Sequence, residues 1–399
     1  MLCRVEGLER WQTWKDRGHW RGATPRRAGG REAEVIPRHF HRPCCCEDAR
    51  EGADYRDKAA QVAIEAVRKA CVLGMRMSEL AGGSGGKAVK DDLSPVTIAD
   101  YAIQSLIEQE LSEKGLLSDG TPLIAEEDAG NMEFDATEVG KLVNSVVPTP
   151  TPTETTTTTE AEDEDDARKQ RWWILDPIDG TKGLVSPNLA DQYVIGLCLV
   201  EEGQPVVGVM GLPNWAKCDL DEEEVCGQGI LIAAQKGRGT VAMAVDEDGE
   251  GVGASHPGEL VSVDGSRTFE EATLLMSKSQ DFFDDSLLLG RAYRGRKPKK
   301  VLKACCGSLV KYAAVALGLC SLYIEHPVKG KEDLKVWDHA SGVLCVTEAG
   351  GTVSDLGGDP LFLGKTPCSH FRPGGLGVIC SNGRFHPEVV SKLGAEVDR

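Results

Sequence analysis

Between Asp57 and Leu80, small and apolar residues return at three- and four-residue intervals: Ala59, Ala63, Val67, Ala70, Leu73 and Met77. That spacing predicts an amphipathic helix, which the run Gly82-Gly83-Ser84-Gly85-Gly86 ends. A second helix is predicted after Ser94-Pro95, running through Asp100, Leu106 and Leu111, and a short strand at Leu123-Ile124-Ala125. The apolar run Trp172-Trp173-Ile174-Leu175 predicts a buried strand over 171–176. Two hairpins follow. Tyr193–Val200 turns through Glu201-Glu202-Gly203-Gln204 into Val206–Met210, and Gly229–Ala234 turns through Gly237-Arg238-Gly239 into Thr240–Ala244. Beyond a polar, Gly-rich stretch at 246–258, strand and helix alternate through Ala272–Met276, Gly307–Leu319, Leu322–Ile324, Trp337–Ala349 and Gly377–Cys380. This alternation predicts an α/β second half.

Two stretches break the pattern. The first, to about Gly52, carries nine arginines up to Arg42 and no sustained period, so folding is expected to begin near Tyr55. Residues 1–54 read as an organelle-targeting extension, and the acids Glu6, Glu9, Asp16, Glu32 and Glu34 keep a disordered tail as the competing reading. The second, at 148–168, passes from alternating Thr-Pro to a threonine run and then to Glu160–Asp166. It cannot bury a core and reads as a disordered insertion within a domain.

With 399 residues and 41% hydrophobic content, the chain can bury a large core. A formal net charge of −18 argues against general binding to nucleic acid or an anionic membrane. Such an acidic protein handles phosphates only by recruiting positive charge locally, through metal ions or a few placed lysines. Tyr312–Ile324, the longest strongly apolar stretch, is too short to cross a bilayer. The fourteen cysteines contain no pair of C-x-x-C knuckles. Most read as reduced core residues of a cytosolic or organellar protein, while Cys44-Cys45-Cys46 offers adjacent thiols for redox chemistry.

Candidate chemistry concentrates where the strand at 171–176 ends. Asp176-Pro177-Ile178-Asp179-Gly180-Thr181 supplies two carboxylates, a glycine and a hydroxyl. Two carboxylates and the Ile178 carbonyl are suitable oxygen ligands for Mg²⁺. Gly180 lets the backbone approach an anion, and Thr181 offers its hydroxyl to a phosphate oxygen or a water. Taken alone, the stretch reads equally as a strand with an Asp-Gly bend. Three further acids have ordinary readings too. Asp100, three residues after Thr97, reads as a capping-box acid, and Glu126 and Asp338 read as acids favoured by helix dipoles. Together the four positions look like a convergent oxygen cage.

The segments Ser94-Pro95-Val96-Thr97-Ile98-Ala99-Asp100, Ala125-Glu126-Glu127-Asp128, the 176–181 turn, Trp337-Asp338-His339-Ala340-Ser341-Gly342 and Glu348-Ala349-Gly350-Gly351 carry a resemblance. In order and spacing, from about Tyr55 to Leu393, they resemble the lithium-sensitive, magnesium-dependent phosphomonoesterases of the inositol monophosphatase superfamily. Within it the chain most resembles the 3′(2′),5′-bisphosphate nucleotidases of plants and fungi. Lys182-Gly183, Val209–Trp215 and Cys305–Tyr312 point to a plant-type organellar branch. The resemblance implies a layered αβαβα sandwich, with an α+β metal-binding domain over 55–262 and an α/β substrate-cleft domain over 263–399. It also implies two or three Mg²⁺ ions. Glu126, Asp176 and the Ile178 carbonyl would hold the first, Asp176, Asp179 and Asp338 the second, and Asp100 with Glu126 a third. Thr181, hydrogen-bonded toward Asp100, would help activate the attacking water, and Asp179, Gly180 and Thr181 would face the phosphate.

The implied reaction removes the 3′-phosphate of adenosine 3′,5′-bisphosphate to leave AMP, with 3′-phosphoadenosine 5′-phosphosulfate a further substrate. The implied compartment is the chloroplast or mitochondrion, with the cytoplasm as the alternative. Departures bear on the substrate. Ala125 stands where the nucleotidases have Gly, Leu184-Val185-Ser186 where they have Phe-Leu-Arg, and Glu325 where a basic residue is expected. Fewer positive groups then face a second phosphate, which leaves Ser308, Lys311 and Lys335 as candidate phosphate or ribose contacts. For Lys311 the competing reading is a helix lysine reaching to the surface. Two alternatives stand beside the nucleotidase: an inositol phosphate phosphatase and a catalytically silent sensor of phosphonucleotides.

Overall fold

The computed structural model describes residues 45–83, 95–117, 121–127, 170–186, 188, 191–215, 229–245, 258–278, 280, 288–325, 334–371 and 377–397. The expectations for residues 1–44, for the insertion at 148–168 and for nearly all of 246–258 lie outside them.

Helix α1 (Cys45–Gly83) begins ahead of the expected start at Tyr55. Neither Gly nor Pro stands between Cys45 and Glu51, so nothing in the backbone stops the helix from extending that way. Ala59, Ala63, Ala66, Val67 and Ala70 are fully buried on one face, and their small size lets α1 lie close against the sheet beneath. Helix α2 (Pro95–Glu113) packs beside it.

The first sheet has seven strands in chain order: β1 (Leu123–Ala125), β2 (Arg171–Asp179), β3 (Val194–Glu201), β4 (Gln204–Leu212), β5 (Ile230–Gln235), β6 (Gly239–Ala244) and β7 (Glu259–Val261). Only the β1–β2 pair is parallel. The hairpins expected at β3–β4 and β5–β6 are both formed. A one-turn helix, α3 (Thr181–Leu184), follows β2.

The second sheet contains β8 (Thr273–Ser277), β9 (Lys300–Ala304), β10 (Leu322–Glu325), β11 (Thr352–Ser354) and β12 (Val378–Ser381), in the order β11-β12-β10-β8-β9. Strands β8, β9 and β10 run parallel, so their carboxyl ends open on one edge, where such sheets receive ligands. Helices α5 (Leu309–Ala316) and α6 (Ala340–Glu348) lie between the sheets, with α6 against β3, β4 and β5 and α5 against β10 and β12. Helix α4 (Leu288–Ala292) packs on α7 (His386–Val397), which covers the outer side at β12. The layers therefore run helix, sheet, helix, sheet, helix, the αβαβα sandwich expected.

Strand β2 organises both the core and the site. Trp173 and Leu175 face the cluster built with α1 and α2. Trp172 and Ile174 face the other way, against Val336, Trp337 and Ala340 at the start of α6. By strand alternation Asp176 continues that second face.

Among the described cysteines, Cys71, Cys198, Cys320, Cys345 and Cys380 are free and buried. The sulfurs of the adjacent Cys305 and Cys306, just before α5, lie in contact. No helix among the described residues is long and apolar enough to cross a membrane.

Candidate metal centre

Residues three apart on a regular strand point to opposite faces. Asp176 pairs with Gly196 and Asp179 with Val194, so Pro177 and Ile178 together oppose a single residue, Ile195. That bulge adds one residue and returns Asp179 to the face of Asp176. It also takes the Ile178 backbone out of the regular ladder, as a role for its carbonyl as a ligand requires. Asp338 reaches the same point from the segment just before α6. One carboxylate oxygen from each of Asp176, Asp179 and Asp338 lies within 4.8 Å of the others.

Asp176 is fully buried, and neither of its carboxylate oxygens has a hydrogen-bond donor. Its neighbours are other acids. Burial, then the charges of Asp179, Glu126 and Asp338, push its carboxyl well above the usual range. Asp179 is raised to about 8 by burial and then by Asp338, while the Leu309 and Ser308 amides and Lys311 pull it back. Asp338 is raised by burial against the opposing pull of His339. Although Glu126 has the most exposed side chain of the set, desolvation of its carboxyl and then Asp338 raise it to about 7. Asp100, only 5% exposed, is raised to about 8 by burial, then by Glu127 and Glu126. Helix α2 already begins at Pro95, so Asp100 lies inside the helix and the capping reading is excluded. Clustered carboxyls without donors destabilise one another unless protons or a cation intervene. An all-oxygen, buried donor set of this kind fits a hard divalent cation.

The start of α5 holds Asp179 from behind. Ser308 N donates to Oδ1 at 3.0 Å and Leu309 N to Oδ2 at 2.5 Å. This approach requires glycine at 307, where a Cβ would lie 2.3 Å from the Asp179 carboxylate and φ is +79°. Gly180, at φ +82°, lies so close to Cys306 that a Cβ would come within 2.7 Å of its carbonyl. Thr181 is half-buried beside it. Among the described residues, the hydrogen bond expected between Thr181 and Asp100 is not formed; the acids nearest Asp100 are Glu126 and Glu127.

Of the expected substrate contacts, Ser308 spends its hydroxyl on Glu325 Oε2 at 3.1 Å. Lys311 is buried, so the reading of a lysine reaching to the surface is excluded. Its ammonium donates to the Gly307 carbonyl and lies 5.1 Å from the Tyr323 ring centroid. Burial lowers the Lys311 pKa, and Glu325, Asp179 and Asp338 oppose that shift. Lys335 sits three residues before Asp338 and contacts His370.

Sequence reasoning named Glu325 only as a departure from the relatives and missed His339, Tyr323 and His370 near the cluster. Glu325 also accepts from Tyr323 OH; burial pushes its carboxyl up, but His339, Tyr323, Lys311 and Ser308 together hold it below the usual range. His339 is buried, with Nδ1 at 2.9 Å from Tyr312 OH and Nε2 unpartnered. Tyr323 and His370 complete the set. Of the missed residues only His339, adjacent to Asp338, had a local signal; Tyr323 and His370 arrive through long-range contacts.

The inositol monophosphatase family model matches residues 50–397. A putative mitochondrial 3′(2′),5′-bisphosphate nucleotidase of Arabidopsis thaliana is 33% identical over 366 residues, covering 84% of this chain and 86% of the relative. The 3′(2′),5′-bisphosphate nucleotidase of Schizosaccharomyces pombe is 31% identical, covering 77% and 88%. Among solved structures, an inositol monophosphatase from Anabaena shares the fold at TM-score 0.53 and 15% identity, covering 86% of this chain and 97% of its own. CysQ from Bacteroides thetaiotaomicron does so at TM-score 0.53 and 20% identity, covering 81% and 97%. The chain belongs to the inositol monophosphatase family and is closely related to the 3′(2′),5′-bisphosphate nucleotidases of several species.

Proposed function

We propose that the protein is a magnesium-dependent phosphatase that removes the 3′-phosphate from adenosine 3′,5′-bisphosphate to leave AMP, and that it also acts on 3′-phosphoadenosine 5′-phosphosulfate. The observation that carries the reading is Asp176, whose two buried oxygens lack any protein donor while Asp179 and Asp338 converge on the same point. The names of the relatives support the nucleotide as substrate.

Asp176, Asp179 and Asp338 would hold one cation, and Glu126 with the Ile178 carbonyl and Asp176 another. A divalent cation there supplies charge neutralisation for the phosphate dianion and acidifies a bound water. The chain supplies the positioning. The Ser308 and Leu309 amides fix the Asp179 carboxylate while leaving each oxygen a lone pair for the cluster. Gly180 and Thr181 would present backbone and hydroxyl to the phosphate, and Thr181 with Asp100 would help activate the attacking water. In-line phosphoryl transfer needs such positioning and electrostatics more than a covalent nucleophile.

Glu325 favours a second reading. It replaces the basic group expected at this edge, and a carboxylate accepts hydrogen bonds from polyol hydroxyls but repels a second phosphate. An inositol phosphate is the corresponding substrate. Phosphate release from adenosine 3′,5′-bisphosphate, 3′-phosphoadenosine 5′-phosphosulfate, inositol 1-phosphate and inositol 1,4-bisphosphate at millimolar magnesium decides between them. The nucleotides are expected to turn over fastest. Full magnesium-dependent activity in both Asp176→Asn and Asp338→Asn would sink the metal assignment.

A further inference from the structure

The chain between α3 and β3 meets the carboxyl ends of β8 and β9, and several bonds join them. In the main chain, Gln192 N donates to the Cys305 carbonyl at 2.8 Å, and Cys306 N donates to the Gln192 carbonyl at 3.1 Å. One residue past β8, Lys278 N donates to the Ala304 carbonyl at 3.2 Å. Side chains close the circuit, because Asp191, the neighbour of Gln192, pairs through Oδ1 with Lys278 Nζ. Asp191 Oδ2 accepts from Ser186 Oγ at 2.7 Å, and its carbonyl accepts from Asn214 Nδ2 at 3.2 Å. Asp191 precedes β3 of the first sheet and Lys278 follows β8 of the second, so the ion pair bridges the two sheets.

The segment gripped by this circuit is the one on which the acid cluster leans. Residues 304–306 are held from the side of Gln192 and Lys278, and residues 306–309 hold the site in turn. The Cys306 carbonyl lies against Gly180, and the Ser308 and Leu309 amides fix the Asp179 carboxylate. Cys305 and Ser308 are three residues apart. Gly307 between them is packed so closely on Asp179 that no Cβ fits. A displacement at Cys305 is therefore passed on to Asp179 rather than absorbed.

We propose that Asp191 and Lys278 are positioning residues: their ion pair clamps the 304–306 segment, sets the placement of the Asp179 carboxylate and so tunes the affinity for a divalent cation. The inference rests on the metal-dependent reading above. Neither side chain has to touch the cation or the substrate. If the two acted through their charges alone, removing the acid would weaken cation binding and removing the lysine would strengthen it. A clamp has no such sign, because losing either end opens the same circuit. A merely structural pair would change the melting temperature and leave the cation affinity as it is.

Mg²⁺ is titrated calorimetrically into the full-length protein without substrate. The Lys278 side chain is 47% exposed, so the expected effect is modest. Asp191→Asn and Lys278→Met each weaken Mg²⁺ binding by roughly 3- to 5-fold, the upper range for a pair open to solvent. The double variant binds no more weakly than either alone, since one link is lost in all three. Lys278→Arg keeps the link and stays near wild type. Tighter binding in Lys278→Met, additive losses in the double variant, or wild-type affinity in both single variants whatever their melting temperatures overturns the inference alone. A wild type that binds no Mg²⁺ at millimolar concentration overturns the metal reading as well.

Discussion

Asp264 stands in the segment joining the two sheets, and both of its carboxylate oxygens are satisfied. Ser266 N at 3.3 Å, Ser266 Oγ and Ser321 Oγ at 2.8 Å donate to Oδ2, and Asn382 Nδ2 donates to Oδ1 at 2.7 Å. Asp176, more deeply buried, accepts no hydrogen bond at either oxygen. A carboxylate that ties a fold together is ringed by donors, because each such bond contributes and each missing one costs. A carboxylate ringed by other acids does the reverse, and the fold tolerates it only because protons or a cation complete the site. The difference separates a structural knot from a chemical centre without reference to any relative.

Replacing each aspartate by asparagine breaks this contrast in opposite directions. Asp176→Asn is expected to lower phosphate release by on the order of a thousandfold or more. The same change is expected to raise the melting temperature in EDTA, because it removes an acid that burial and then Asp179, Glu126 and Asp338 force to take up a proton on folding. Asp264→Asn is expected to keep the turnover and to cost about 1–3 kcal/mol of stability. A lower melting temperature for Asp176→Asn in EDTA would show that the acid cluster is not the destabilising element.

A pair of glycines sharpens the comparison next. Gly307 and Gly237 both adopt φ +79°, but a Cβ at 307 meets the Asp179 carboxylate at 2.3 Å, whereas one at 237 meets nothing within 4 Å. Alanine at either position carries the backbone strain of a positive φ, about 1–2 kcal/mol. Only Gly307→Ala displaces the Asp179 carboxylate, a proposed metal ligand, and a misplacement of about 1 Å costs roughly 100-fold in rate. Equal activities of the two variants at a temperature where both are folded would break the argument.

Helix and strand positions were largely legible, because burial of one face imposes a period that the chain displays. The site was legible only in part. Asp176 and Asp179 were visible as a pair, but their common face depends on the bulge at Pro177-Ile178, which a motif suggests and only the ladder shows. Asp100 looked like a cap because its spacing from Thr97 was weighed apart from the helix start expected at Ser94-Pro95, where α2 does begin. For Lys311 the competing reading of a lysine reaching solvent fails because α5 lies between the sheets, near the Glu325 carboxylate of β10. His370 is invisible to any local reading because its contact with Lys335 depends on a bridge between distant segments.

The protonation of the cluster gives a smaller, graded effect. Asp100 and Asp179 are raised to about 8 and Glu126 to about 7 in the metal-free protein, from values near 4 in an unfolded chain. The folded state then binds more protons than the unfolded state, so stability is greatest below about pH 4 as far as these groups go, and falls as pH rises toward about 8. In EDTA the melting temperature is expected to decline across that window. With millimolar magnesium the decline flattens, because the cation displaces the protons and is released on unfolding. Parallel profiles with and without magnesium would mean that the ion does not occupy these carboxylates.

Glu325 lies between the two extremes, satisfied like Asp264 but by groups of the cleft itself: Ser308 at 3.1 Å and Tyr323. Glu325→Gln keeps an acceptor for both hydroxyls and removes the negative charge. For a substrate with a second phosphate, kcat/KM is expected to rise about 3-fold through lost repulsion. For inositol 1-phosphate it is expected to fall, since an amide oxygen is a weaker acceptor for a sugar-like hydroxyl than a carboxylate. The quantity to follow is the ratio of the two substrates. If both constants move together, Glu325 serves only to hold Ser308 and Lys311 in place, and the choice between nucleotide and polyol phosphate is made elsewhere in the cleft.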